Sequence, residues 1–437
     1  ALDINISLIK NKELKMMWYS HIGQTPSDME EFVRFLIYKA TGKTLLIKSK
    51  EVIEELKDSK LKLNKYITKK NIAKVSSVFY RYKPIFLAFK QGRNKKIINR
   101  LRKLAVKNHK PKIQSFWSNC FDKPLVDISN RLGELNNFKK ISIIQECLIR
   151  DNVKDLSYKP YIIRNGKIYL KEYNNNPKNN KYQEIAKILY WSMIEDLKKK
   201  KCKITINKDI RLALPSSEKS FIGNYPLYSS VKIDANTIIG IYWRREWGAS
   251  DLDLSFINAK TSEKIGWDQN FCNSNIVFSG DMTCANPEAT ELLYFKKGFL
   301  GNGIIQVNNY NGENNSEYNL LVAKEHIYKE NFHKGYMCNP DNIILQAHDK
   351  MDGKEKSMAI SANGRLYLAL LRTGNKCVSS GNNITREYAQ YILKTIKNRL
   401  MLEDVLKDAG FTFVDNAEDA DIDFSKPTKD MFINLLS

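Results

Sequence analysis

The alternation of apolar and polar positions divides the chain into a helical first third and a strand-rich remainder. Phe32, Phe35, Leu36 and Tyr38 recur at near-helical spacing behind Ser27-Asp28-Met29-Glu30, which reads as an N-cap with acids in the first turn. Thr68–Gln91 predicts a helical segment carrying Ile72, Val75, Val78, Phe79, Ile85 and Phe86, kinked or broken at Pro84. Lys95–Val106 predicts a basic helix ended by His109-Lys110-Pro111, and Asp127–Arg150 a further helix. Helices joined by short basic loops point to a bundle or a short helical-repeat array.

Beyond residue 155 the period shortens to two. Pro160–Lys171 predicts a hairpin, with Asn165-Gly166 supplying a type I′ turn. Tyr182–Lys200 predicts a helix whose terminal lysines suit its negative end. From 204 to 375, short alternating runs separated by turn residues predict a β-sandwich, with Gly303–Val307 and Leu366–Leu371 as buried strands. Ile384–Gly410 predicts one long helix, capped by Asn383 or Thr385, before an acidic strand-and-loop tail and a last helix from Thr428. The expected fold is multidomain α+β: a basic helical N-terminal region (1–155), a hairpin-and-helix connector (156–203), an antiparallel β-sandwich (204–380) and a C-terminal helical segment with an acidic tail (381–437).

The most informative stretch is Ile239–Phe295. In Asp251-Leu252-Asp253-Leu254-Ser255 the period of two sends both leucines into a core beside Trp243, and both carboxylates to the other face, roughly 7 Å apart. A second block follows Ile276-Val277-Phe278: a Ser279-Gly280-Asp281 turn and a loop running through Glu288 to Glu291. Asp251, Asp253, Asp281, Glu288 and Glu291 together offer hard oxygen donors, a set that suits calcium better than zinc or copper.

The paired blocks resemble the tellurium-resistance (TerD-type) domain. That resemblance, covering about a third of the chain, implies a calcium-binding β-sandwich of the kind found in bacterial stress-response proteins. The family's loop is crowded with Asp and Glu, whereas here Asp281, Glu288 and Glu291 are the acids present. The layout is also similar to larger, poorly characterised prokaryotic proteins that place a helical region before a divergent domain of this type.

Charge adds a second theme. The first 200 residues hold 43 Lys and Arg against 19 Asp and Glu, and the rest of the chain 28 against 29. Such polarity predicts that residues 1–200 meet an anionic partner, either nucleic acid or an acidic protein surface. The candidate contacts are Lys95, Lys96, Arg100, Arg102, Lys103 and Lys107, which are spread around more than one face of their helix. Seven cysteines without a CxxC pair, no run of eighteen apolar residues and no secretory pattern at Ala1-Leu2-Asp3 predict a cytoplasmic chain that does not enter a membrane.

Other motifs carry less. Gly42-Lys43-Thr44 lacks the preceding glycine and strand of a phosphate-binding loop. His326, His333, His348 and Cys338 match no zinc spacing, and His109 suits a helix end. With no paired nucleophile and base, the expectation is a non-catalytic protein: a calcium-binding TerD-like sandwich for stress response or a phage-related role, with a basic helical region that docks to an anionic partner. The alternative is a nucleic-acid-binding subunit of a larger complex, in which the sandwich is a metal-free scaffold.

Overall fold

In the computed structural model the described residues are 6–44, 50–109, 115–153, 158–162, 168–172, 181–328, 331–351, 353–371 and 390–437. They fall into two units, residues 1–119 and 120–437.

The first unit is built from α1 (Lys12–His21), α2 (Met29–Thr41), α3 (Lys50–Asp58), α4 (Ile72–Ser76), α5 (Lys83–Ala88) and α6 (Lys95–Asn108). Asp28 starts α2 by accepting a hydrogen bond from Glu31 N at 2.9 Å, and Gly42 ends it in the left-handed region at φ 72°. Gly42 is therefore a helix stop. Phe32, Val33, Leu36 and Ile37 of α2 share one core with Val75, Phe79, Phe86, Ile98, Leu101 and Ala105, and Phe79 stacks on Phe86. The helical segment expected over Thr68–Gln91 is broken rather than kinked, into two short helices, α4 and α5. Pro84 sits in the first turn of α5, where its missing N–H costs nothing, so it starts a helix rather than kinking one.

The second unit begins with α7 (Leu125–Asn130) and α8 (Asn137–Asn152), so the single helix expected over Asp127–Arg150 is broken near Gly133. Asn136 restarts the chain as the N-cap of α8, accepting from Lys139 N at 3.0 Å. Strands β1 (Tyr158–Ile162) and β2 (Ile168–Glu172) pair in the predicted hairpin, with Ile162 opposite Ile168; the Asn165-Gly166 turn lies outside the described residues. Helix α9 (Lys181–Lys198) packs against α8, and Lys140 Nζ, nearly buried, lies 2.6 Å from Asp196 Oδ2. The boundary expected at residue 155 lies within this unit. The reason is apolar: Ile149 and Val153 at the end of α8 pack on Ile304, Ile360 and Ala369 of a β-sheet, and Asn152 donates to Asn398.

Two antiparallel sheets follow. The seven-stranded sheet runs β10 (Lys264–Gly266), β9 (Ala249–Asn258), β13 (Gly303–Gly312), β16 (Glu355–Ala362), β17 (Arg365–Leu371), β7 (Ser230–Lys232), β4 (Ile210–Arg211). The five-stranded sheet runs β11 (Ile276–Phe278), β12 (Glu288–Phe295), β8 (Thr237–Arg244), β14 (Ser316–Lys324), β15 (Ile343–Met351). A small hairpin, β5 (Phe221–Ile222) with β6 (Tyr225–Pro226), pairs with neither sheet and lies against β15. The predicted alternation holds on the facing sides. Leu252, Leu254 and Trp243 have no exposed surface, Ile276 and Phe278 are buried, and Phe256 of one sheet meets Phe295 of the other edge-on.

The long helix expected over Ile384–Gly410 is not continuous. Residues 384–389, with its cap, lie outside the described residues; α10 covers 390–395, a 3₁₀ turn follows at Ile396–Asn398, and α11 (Leu402–Asp408) is separate. Between them the chain is extended, and Leu214 N and Leu402 N bond across it to Leu400 O and Leu212 O. Past Gly410 the acidic tail forms β18 (Thr412–Phe413) and β19 (Ile422–Asp423), which flank β3 (Lys203–Thr205) as parallel neighbours, and α12 (Lys429–Leu436) follows. No helix among the described residues is long and apolar enough to cross a membrane.

Candidate metal centre

Strand β9 lies next to the short edge strand β10, which pairs with it only from Ser255 onward. Beyond that point the edge of β9 is free for other partners, and the 279–286 loop takes it: Ala285 N donates to Ser250 O at 2.9 Å. The loop turns back at Ser279-Gly280-Asp281. Gly280 has φ 118°, a conformation L side chains rarely adopt, and a Cβ there would lie 3.3 Å from Lys334 Cβ. Ser279 Oγ accepts from Leu292 N, which ties the turn to β12.

Glu291 joins the two sheets. It stands opposite Ile241 of β8 on the inner face, fully buried, and its two oxygens accept from Leu254 N at 2.6 Å and Met282 N at 2.8 Å. One carboxylate thus binds the backbone of the opposite sheet and the backbone of the loop. Asp281 is carried by this arrangement to Asp251 and Asp253, and one carboxylate oxygen from each of the three lies within 4.8 Å of the others. Asp251 and Asp253 are 5% and 2% exposed. Among the described residues no donor reaches Asp251 Oδ1, Asp253 Oδ2 or Asp281 Oδ1.

Three carboxylates this close, two of them buried, repel. Burial, then the Asp281 charge, pushes Asp251 up to about 6 against the pull of Lys334. Burial, then Asp251, Asp281 and Asp268, pushes Asp253 up to about 7 against Lys264. Burial raises Glu291 well above the usual carboxylate range, opposed by its two backbone hydrogen bonds. Open, anionic oxygens converging on one point fit a hard divalent cation, and a loop contributing one of them allows the irregular geometry calcium takes.

Of the five expected ligands, the structure brings together Asp251, Asp253 and Asp281, with Glu291 behind them as the residue that positions the loop. Glu288 stands apart: it is exposed at the start of β12 and accepts from Tyr242 OH at 2.6 Å. His326, His333 and His348 are dispersed, bonded to Asn236, Lys334 O and Asn319 respectively. Sequence reasoning missed the neighbours on β13, β16 and β10. Asp253 faces Asn308, which faces Glu355; Ser255 faces Gln306, which faces Ser357. These six are at most 5% exposed, and Asn308 Oδ1, Asn308 Nδ2, Glu355 Oε2, Ser255 Oγ and Ser357 Oγ are without partners among the described residues. Lys264 influences both Asp253 and Glu355 while paired with Asp268 at 2.7 Å. The period-two pattern could have flagged them, since polar residues alternate with apolar ones along Gln306-Val307-Asn308, but nothing local marks them as buried.

The six candidate nucleic-acid contacts, Lys95, Lys96, Arg100, Arg102, Lys103 and Lys107, are all exposed on α6. Comparison with known proteins returned no match to a family model, a curated protein or a solved structure.

Proposed function

We propose that the β-rich unit is a TerD-type, calcium-binding sandwich and that its role is binding rather than catalysis. The observation that carries this reading is the trio Asp251, Asp253 and Asp281: two of them buried and the third half-buried, each with an unpartnered oxygen, and with one carboxylate oxygen from each within 4.8 Å of the others. Asp281 reaches the site on a loop held by Glu291, so a cation there draws the 279–286 loop against β9 and fixes the junction of the two sheets. Calcium then acts as a structural or regulatory ligand, in keeping with the stress-response setting that the sequence resemblance implies.

The test is thermal unfolding of the full chain in excess chelator and in millimolar calcium. A ligand bound only by the folded state stabilises it by mass action, at about 2.7 kcal/mol for a concentration a hundredfold above Kd. Calcium is expected to raise the melting temperature, and Asp253→Asn is expected to remove the increase. Equal melting in chelator and calcium would sink the reading and leave a metal-free scaffold. Magnesium in place of calcium should have the smaller effect, because it demands a tighter octahedral shell.

A further inference from the structure

The first unit carries a feature that the metal reading does not use. Between Asp58 and Asp122 the chain has no acidic residue, while the same stretch holds 18 Lys and Arg. Those among the described residues are exposed, apart from the half-buried Lys90, and Arg81 alone has a carboxylate partner there, Glu30 at 3.0 Å. A solvated surface that merely keeps a protein soluble mixes both signs.

Helix α6 orders part of this charge. Ile98, Leu101 and Ala105 are its fully buried residues. At 100° per residue Lys96, Arg100, Lys103 and Lys107, spaced i, i+4, i+7, i+11, fall on the face opposite that seam and form one stripe. Lys95 and Arg102 lie to one side. The stripe extends about 16 Å along the helix, a length over which a duplex presents on the order of ten phosphates on its two strands. Buried Asn94 fixes a second basic segment at the start of the helix: its Oδ1 accepts from Leu63 N at 3.0 Å and its Nδ2 donates to Leu61 O at 2.8 Å, which holds the loop bearing Lys60, Lys62 and Lys65 in place.

We propose that the basic side chains of the acid-free stretch 59–121, centred on the α6 stripe, bind the phosphate backbone of nucleic acid without reading sequence. Three features select this partner over an acidic protein. The stretch carries one sign of charge over sixty residues, which matches a uniform polyanion. Protein–protein interface cores are depleted in lysine, and lysine dominates here. Lysine is a point charge suited to phosphate, whereas base-edge readout favours the forked guanidinium of arginine.

The test measures binding of the full chain to a fluorescent random-sequence duplex by anisotropy across a salt series. The wild type is expected to bind at ~50 mM salt, with log K falling linearly against log salt. The variant K96Q/R100Q/K103Q/K107Q should reduce that slope by about 3 to 4, since each phosphate contact contributes about 0.9. These side chains are exposed, so its melting temperature should match the wild type. A control, K187Q/K201Q/K397Q/K426Q, neutralises exposed lysines of the second unit and should leave the slope unchanged. No binding at ~50 mM salt, an equal loss in both variants, or affinity for polyglutamate as high as for the duplex would each overturn the proposal. Chelator should leave duplex binding as it is, which separates this result from the calcium experiment.

Discussion

At Asp253 one side chain decides how the protein responds to both protons and metal. An unfolded aspartate titrates near about 3.9, whereas Asp251 and Asp253 in the folded chain keep their protons to about 6 and about 7. Over that interval the folded state binds more protons than the unfolded one, so the contribution of these groups to stability is complete at the acid end and is lost as pH rises through 6 to 7. In the calcium-binding reading proposed above the ion competes for the same oxygens, and its affinity should rise with pH across the same window. Asp253→Asn removes a buried charge that burial opposes. In chelator at pH 8 it should melt above the wild type, and its melting temperature should fall less between pH 5 and pH 8. A variant that melts below the wild type at pH 8 in chelator would mean that Asp253 has a native partner.

Among the elements, β12 has the most to do, because Glu291 links one sheet to the backbone of the other. Glu291→Ala would leave Leu254 N and Met282 N buried without acceptors, at about 1–3 kcal/mol for each, and would release the turn that carries Asp281. Urea denaturation should show a lower midpoint, and the calcium-induced rise in melting temperature should shrink even though Asp251, Asp253 and Asp281 are all present. Much of this element was legible. Two residues of alternation were enough to put Leu252 and Leu254 in the core and both aspartates on one face, and the Ser-Gly-Asp turn marked where the third carboxylate of the cluster would come from. The inward direction of Glu291 was not legible, since a glutamate on a strand reads as solvent-facing unless the opposite sheet is in view. Pro84 marked the break that falls at 77–82, whereas the one at 131–136 was hidden for a related reason: apolar spacing continues across it, and only tertiary packing decides whether the chain turns. Local charge spacing on α6 was readable, and the buried seam of Ile98, Leu101 and Ala105 shows that four of its six candidate cations share a face.

Across the molecule, charge is divided between the units: the carboxylate cluster Asp251, Asp253 and Asp281 belongs to 120–437 and the basic stripe of α6 to 1–119. The small parallel sheet gives the second unit a further property. Strand β3 takes both of its neighbours from the tail, and Lys203 N is bonded to Asp421 Oδ2 at 2.8 Å. Removing residues 412–437 should therefore strip β3 of its pairing and uncover Ile204 and Phe221, whose ring packs edge-on against Phe432, and the shortened chain should lose its cooperative β-unit transition in near-UV circular dichroism. A truncated chain that keeps the wild-type transition would show the tail to be dispensable. The same connection imposes an order of events during synthesis. Some 218 residues separate Lys203 from Asp421. At about 5–20 residues per second a ribosome needs on the order of 10 to 40 seconds to supply them. For that interval the helical unit is already made while β3 has no neighbour, so the nascent chain presents its basic surface well before the sheet that completes the β-rich unit can close.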